Sequence, residues 1–249
     1  MPSMAKNHQK NVIILTQGLS GSSVLSSLLA GAGYWVGDAT YAKRDYDTYE
    51  NSDLIPINRD ILDVAGYDEE YQVRFNKEHI ALVARAKECV DGDRLQAFLD
   101  LCDKHRPWVW KDPRLWLTIR VWKHWLDLDN ISFIHLRRDP TQMWISTVLR
   151  RQIQSRRYCD AYGRGVDGSI REFLEGNRLH HMEMVYEDLI EQPERTLDEL
   201  SGFLGLSLGL DDLQQVYTGG LYRRGKGLRS LAKAHLIYLK NYRERLDVR

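Results

Sequence analysis

The sequence predicts an α/β domain of three layers, a parallel sheet covered on both faces by helices. Two observations carry this expectation. The run VIIL at 12–15 is continuously apolar, the pattern of a strand buried on both faces, and ISFIHL at 131–136 reads as another buried strand. Around them lie segments with helical spacing, so strands and helices alternate along the chain. A chain of 249 residues with no internal repeat or low-complexity tract fits one domain over 1–249, with residues 1–10 as a flexible polar tail.

The elements follow in order. After the strand at 12–15 comes a Gly/Ser turn, and then Val24, Leu25, Leu28, Leu29 and Ala32 recur at helical spacing, with Gly33 at a C-cap position. Residues 37–48 are polar and turn-rich and read as a loop before a helix containing Ile55, Ile57, Ile61 and Leu62, with Pro56 at a break or first turn. Residues 76–104 read as one long helix or two short ones divided at Asp91-Gly92. WVWKDPR at 108–114 is a short strand stopped at Pro113, followed by a helix over 115–127. ISFIHL is closed by RRDP, with Pro140 in the first turn of a helix running to about Arg151. HHMEMVYEDL at 180–189 supplies a further strand, and 193–205 a helix ended by glycine.

Composition excludes several classes. The formal net charge is zero, with 28% charged and 43% hydrophobic residues, so nothing points to nucleic acid or a membrane surface. Cys89, Cys102 and Cys159 form no CxxC pair and are odd in number, which indicates neither a disulfide framework nor a zinc site and fits a reducing cytoplasm. The first apolar run is too short for a signal peptide or a spanning helix. Basic residues are nevertheless bunched, at Arg137, Arg138, Arg150, Arg151, Arg156 and Arg157 and again at Arg223, Arg224, Lys226 and Arg229. Such runs serve a polyanionic ligand or are solvated helix faces.

In parallel sheets, ligands gather at the carboxyl ends of strands, where strand order reverses. Four polar motifs, Gly18–Ser23, Lys111–Arg114, Arg137–Asp139 and Tyr186–Asp188, fall at or just after expected strand ends. The first is a Gly/Ser loop opening onto a helix, where unpaired backbone N–H groups and the helix dipole suit an oxyanion. Gly18 and Gly21 allow close backbone approach, and Ser20, Ser22 and Ser23 offer hydroxyl donors. A plain strand-to-helix turn with serine caps is the alternative. The Walker lysine that neutralises nucleoside triphosphates is missing, which argues against an ATPase or GTPase; the strand-loop-helix leaves a P-loop nucleotide kinase as the least favoured alternative.

Taken with later motifs, this loop resembles the 5′-phosphosulfate loop of sulfotransferases that use 3′-phosphoadenosine 5′-phosphosulfate (PAPS). LRRDPTQMWISTVLRR is similar to that family's 3′-phosphate motif, an arginine followed eight positions later by a serine, here Arg138 and Ser146. VYEDLIEQPERTLDELSGFLGL, WKDPRLWL and TYENSDLIPINRDIL resemble further segments of the family, the last two of its bacterial branch. The likeness runs in order from about residue 12 to 206. It implies a P-loop-like, sulfotransferase-like version of the three-layer fold, with PAPS as donor and PAP as product, no metal, and a small-molecule or glycan acceptor. One departure is Leu19, where many members carry Arg or Lys just before Ser-Gly.

Sulfuryl transfer needs an in-line hydroxyl, positive groups to hold charge on the leaving phosphate, and a base for the acceptor proton. Lys111, directly after the strand Val109–Trp110, is the first candidate for the cationic role, and the resemblance points to Glu50 as the base, with a plain helix-first-turn carboxylate as its alternative. His135 is the runner-up base, though a histidine inside an apolar strand is more commonly a hydrogen-bonded core residue. Arg114 assists or binds an anionic acceptor, unless Lys-Asp-Pro-Arg is only a solvent-facing turn with a local ion pair. Arg223, Arg224 and Gly225 are placed over the 3′-phosphate, by analogy with a late basic segment in some members, or belong to a solvated linker. Five of seven tryptophans fall between 108 and 125. Core packing is their default role, and Trp110 as a substrate-binding wall for adenine or a sugar ring is the sharper alternative. A second functional class, a PAP- or PAPS-binding protein without turnover, is motivated by Leu19.

Overall fold

The computed structural model describes residues 9–43, 46–217 and 228–246. Strand β1 (Asn11–Thr16) is buried along its whole length and leads through residues 17–21 into α1 (Ser22–Gly31). A hairpin, β2 (Thr40–Ala42) and β3 (Asp47–Asn51), precedes α2 (Leu54–Val64), α3 (Lys77–Arg85) and α4 (Gly92–Lys104). Next come β4 (Val109–Lys111), α5 (Leu115–Trp122), β5 (Ile131–Arg137), α6 (Pro140–Leu149) and α7 (Arg156–Gly176). The chain continues through β6 (His181–Val185), α8 (Asp188–Glu191), α9 (Pro193–Leu204), α10 (Leu210–Val216) and α11 (Leu228–Lys240).

The main sheet has the order β4-β1-β5-β6, and every neighbouring pair is parallel. From β1 the chain passes first to β4 on one side and then to β5 on the other, so strand order reverses beside β1. Alternate strand residues feed two cores, as the two-residue period of a strand requires. Val12, Ile14, Ile134 and Leu136 pack with Leu25, Leu28 and Leu29 of α1 and with Leu197 and Leu200 of α9. Ile13, Leu15, Trp110 and Phe133 face the opposite layer, which includes Leu115 and Trp122 of α5 and Val166 and Ile170 of α7. The expected three layers are present.

Local chemistry sets the boundaries. Asp139 accepts a bond from the Gln142 amide (2.9 Å) and Pro140 opens α6, as its missing N–H permits. Gly205, at φ 67°, ends α9. Of the two readings of 76–104, two helices is the observed one: Asp91 caps the second by accepting from the Arg94 amide (3.1 Å).

Three expectations need correction. The loop expected over 37–48 contains most of the β2–β3 hairpin, a polar pairing without apolar alternation, held in part by Thr48 Oγ1 donating to the Tyr41 carbonyl (2.6 Å). The helix expected to reach residue 127 stops at Trp122. The longest helix among the described residues, α7, occupies a region to which the sequence pattern assigns no element, because Gly163, Gly165 and Gly168 interrupt it. Two of these glycines face neighbours that a Cβ would crowd: one added at Gly163 would stand 3.1 Å from the Gln17 side chain, and one at Gly165 2.4 Å from the Phe75 ring. Of the expected tail, residues 1–8 lie outside the described residues. Among the described residues no helix is long and apolar enough to cross a membrane.

Candidate active site

All four polar motifs follow the carboxyl ends of the parallel strands, so they share one end of the sheet. The loop after β1 turns sharply. Leu19 has φ 64° and Gly21 φ 85°. At Gly21 the left-handed conformation and close packing both demand glycine, since an added Cβ would stand 2.3 Å from the Tyr186 ring. Helix α1 begins directly afterwards, with neither a side-chain cap nor an acidic residue in its first turn, so its positive end faces the crevice uncompensated by either. Ser20 is wholly buried and its Oγ has no hydrogen-bond partner among the described residues. Ser22 is buried and Ser23 half-buried on the first turn. The Leu19 side chain packs against the core, so it cannot stand in for a cation in the crevice.

Arg138, just past β5, reaches back to this loop. Its Nη1 donates to the Leu19 carbonyl. Its Nε lies 3.5 Å from Glu187 Oε1, and its guanidinium sits 5.4 Å from the centre of the Tyr186 ring. Glu187 Oε2 in turn accepts from the Asp139 amide (2.9 Å). Burial pulls the Arg138 guanidinium below its ordinary pKa, with Glu187 opposing, and burial pushes the Glu187 carboxyl up, with the Asp139 amide and Arg138 opposing. Arg137 takes the other direction, toward Asp167 (3.5 Å) and Glu183 (3.6 Å).

On the far side of β1, Lys111 ends β4 and its Nζ lies 2.7 Å from Glu50 Oε1 and 3.2 Å from the Thr48 carbonyl, both on β3. The pair is almost wholly enclosed, with side-chain exposures of 6% and 11%. Next along the chain, the fully buried Asp112 binds Arg114 Nη1 through both oxygens (3.0 and 3.1 Å). Burial raises the Asp112 carboxyl and Arg114 opposes it. The Arg114 guanidinium lies 4.8 Å from the centre of the Tyr71 ring. Burial also raises the Tyr71 phenol, with Arg114 opposing and the Asp112 and Glu50 charges reinforcing it.

Tyr71 belongs to a strap between α2 and α3 that packs against the loop after β1 and against α7. Its carbonyl accepts from Tyr162 of α7 (2.9 Å), its neighbour Gln72 lies 3.5 Å from where a Gly18 Cβ would stand, and Phe75 fills the gap at Gly165. At the hairpin turn, Arg150 donates to the Tyr46 hydroxyl (2.9 Å) and bridges α6 to the hairpin. Burial acts to raise the Tyr46 phenol, but the Arg150 bond with the charges of Arg150, Lys43 and Lys111 outweighs it and brings the phenol below its ordinary value.

The structure therefore brings together Gly18, Ser20, Gly21 and Arg138 on one side of the crevice and Glu50 and Lys111 on the other. Ser146 is half-buried on α6, about two turns beyond Asp139. Arg223, Arg224 and Gly225 lie outside the described residues. Trp110 needs correction as a substrate wall: it is 0% exposed, stacked on Trp108 (4.7 Å) and packed against Trp122 (4.8 Å), so the ring is core. Arg114 is not a free cation at a solvent-facing turn, because Asp112 and Tyr71 hold it in a buried setting. His135 is fully buried, with Nε2 bonded to Asp167 of α7 (3.2 Å) and Nδ1 3.7 Å from Glu183 of β6, which places it in the core beside β5. Glu50 is not in a helix first turn but on β3. Sequence reasoning missed Tyr71, Gln72, Tyr46 and the tie from Glu187 to Arg138. Only Tyr186-Glu187 carried a signal, as part of a noticed motif without an assigned role.

Residues 12–212 match the model of the Sulfotransferase family. The chain belongs to the sulfotransferase family. Its fold is similar to the structure titled "Sulfotransferase Domain from the Curacin Biosynthetic Pathway", with TM-score 0.54 and 19% identity over 88% of this chain and 83% of that one. It is also similar to the "Sulfotransferase Domain from the Synechococcus PCC 7002 Olefin Synthase", with TM-score 0.50 and 20% identity over 88% and 82%. A search of curated proteins finds no match to the chain.

Proposed function

We propose that the protein moves a sulfuryl group from PAPS to a hydroxyl of a small-molecule or carbohydrate acceptor. The observation that carries this reading is the bond from Arg138 to the Leu19 carbonyl, which brings a buried guanidinium and an amide-rich loop to one crevice. A nucleotide with a phosphate on each side of its ribose asks for such a pair of anion sites. The residues present fit it: Ser20 Oγ is a buried hydroxyl without a hydrogen-bond partner among the described residues, which a phosphate oxygen would satisfy, and the Arg138 guanidinium carries donors beyond the Nη1 spent on the Leu19 carbonyl.

In this reading the amides from Gly18 to Ser23 and the Ser20 hydroxyl hold the 5′ end, while Arg138 and Ser146 hold the 3′-phosphate. PAPS supplies the activated sulfuryl group. Glu50 takes the acceptor proton as the new S–O bond forms, and Lys111 both orients the Glu50 carboxylate and offsets charge on the departing phosphate oxygen. With Leu19 turned into the core, Lys111 at the end of β4 takes that task in this reading.

Calorimetric titration with PAP tests the donor half of the proposal. Binding that weakens about tenfold or more in Arg138→Ala is expected, the scale of one charge-assisted hydrogen bond; absence of binding overturns the reading. Labelled PAPS with a panel of phenols, sugars and alcohols then tests transfer. A second reading, a PAP-binding protein without turnover, is favoured by the Lys111–Glu50 pair, which engages the cation in the described structure. Transfer that disappears in Glu50→Ala removes it.

A further inference from the structure

We propose that Arg138 is also a positioning residue for the loop after β1, and that Glu187 and Tyr186 position Arg138, so that the two phosphate sites are set as one unit. The inference rests on the nucleotide reading above and goes beyond it, since two independent anion sites would serve that reading equally well.

The argument begins at Leu19. A non-glycine residue at φ 64° is uncommon and persists where its surroundings hold it. Two contacts do so here: the side chain packs into the core, and the carbonyl accepts from Arg138 Nη1. The arginine that follows β5 is thus bonded to the middle of the loop that follows β1. Arg138 is itself fixed on two further sides, by the Glu187 carboxylate at 3.5 Å and the Tyr186 ring at 5.4 Å. That ring also packs on Gly21, so Tyr186 touches both halves of the arrangement. Glu187 is anchored by the Asp139 amide, one residue beyond the arginine it holds. A buried guanidinium held by carboxylate, ring and carbonyl cannot shift without releasing the Leu19 carbonyl, and the loop amides then lose their direction.

The two models differ in what they predict for a ligand that lacks the 3′-phosphate. If Arg138 serves only that phosphate, adenosine 5′-monophosphate is indifferent to it. If Arg138 sets the loop, binding of the 5′-monophosphate falls when Arg138 or its support is removed. The experiment is calorimetric titration of wild type, Arg138→Ala, Arg138→Lys and Glu187→Gln with PAP and with adenosine 5′-monophosphate, alongside unfolding midpoints. Expected are a loss of about fivefold or more for the monophosphate in Arg138→Ala, a smaller loss in Glu187→Gln, and partial recovery in Arg138→Lys. Monophosphate binding unchanged in both Arg138→Ala and Glu187→Gln overturns the inference while leaving the nucleotide reading intact. So does a wild type that binds PAP but not the monophosphate, because a loop already set should hold one phosphate. A wild type that binds neither ends both. Should Arg138→Ala fail to fold, Glu187→Gln decides, since its amide oxygen can still accept from Asp139 while the charge facing Arg138 is gone.

Discussion

Lys111 Nζ stands 2.7 Å from Glu50 Oε1, a buried ion pair that fastens the β2–β3 hairpin to the edge of the main sheet. The two roles of this contact separate by substitution. Glu50→Gln keeps the size and one acceptor oxygen, and is expected to bind PAP as wild type does while losing about 100-fold or more in transfer, the scale of a general base. Lys111→Ala strands a carboxylate in a buried place and is expected to lower stability by about 3 kcal/mol. Denaturant unfolding beside a transfer assay separates the two, and full activity in Glu50→Gln would remove Glu50 as the base.

The loop glycines should differ sharply. In Gly21→Ala the new Cβ meets the Tyr186 ring at 2.3 Å on a backbone at φ 85°, so stability is expected to drop by about 2 kcal/mol or more and PAP binding with it. In Gly18→Ala the nearest atom, in the Gln72 side chain, is 3.5 Å away, an ordinary contact, and fold and stability are expected to stay near wild type. Equal unfolding midpoints for the two variants would contradict this account of the loop.

Acid stability has a definite sign at Glu183. Bidentate hydrogen bonds from Arg171 (2.6 and 2.7 Å) hold its carboxyl down, from 4.5 to about 2. A carboxylate depressed in the folded state contributes stability that is present above its unfolded pKa and lost as pH falls through the folded one. Wild type is therefore expected to lose part of its stability between pH 4.5 and about 2, and Glu183→Gln to show a flatter curve over that window. Denaturant midpoints measured against pH provide the check.

The strap between α2 and α3 depends on a missing side chain in α7. A Cβ at Gly165 would stand 2.4 Å from the Phe75 ring. Helix propensity alone favours alanine by about 1 kcal/mol, yet Gly165→Ala is expected to be less stable than wild type because overpacking outweighs that gain. Adding Phe75→Leu should recover part of the loss, and a double-mutant cycle measures the coupling.

Some of this was written plainly in local sequence. The apolar run at Val12–Leu15, the glycines before α1, Pro140 at a helix start and Gly205 at a helix end report their own backbone needs, and each lies where expected. Helix α7 was hidden because Gly163 and Gly165 answer to Gln17 and Phe75 across space, and to a reader of the chain they look like helix breakers. The hairpin was hidden because polar side chains binding backbone help hold it, with no apolar period to see. Trp110 looked equally suited to a wall or a core, and only the packing of Trp108 and Trp122 around it chose between them.

The amino-acid order by itself determined the alternation of strand and helix and the placing of polar motifs at strand ends, because periodicity and turn chemistry act within a few residues. What only the tertiary structure decided is which of those groups meet. Arg138 and Leu19 are 119 residues apart, and Lys111 and Glu50 61 apart. Their contacts arise from strand order and from the enclosure that makes each charge seek a partner, and neither quantity exists until the sheet has formed.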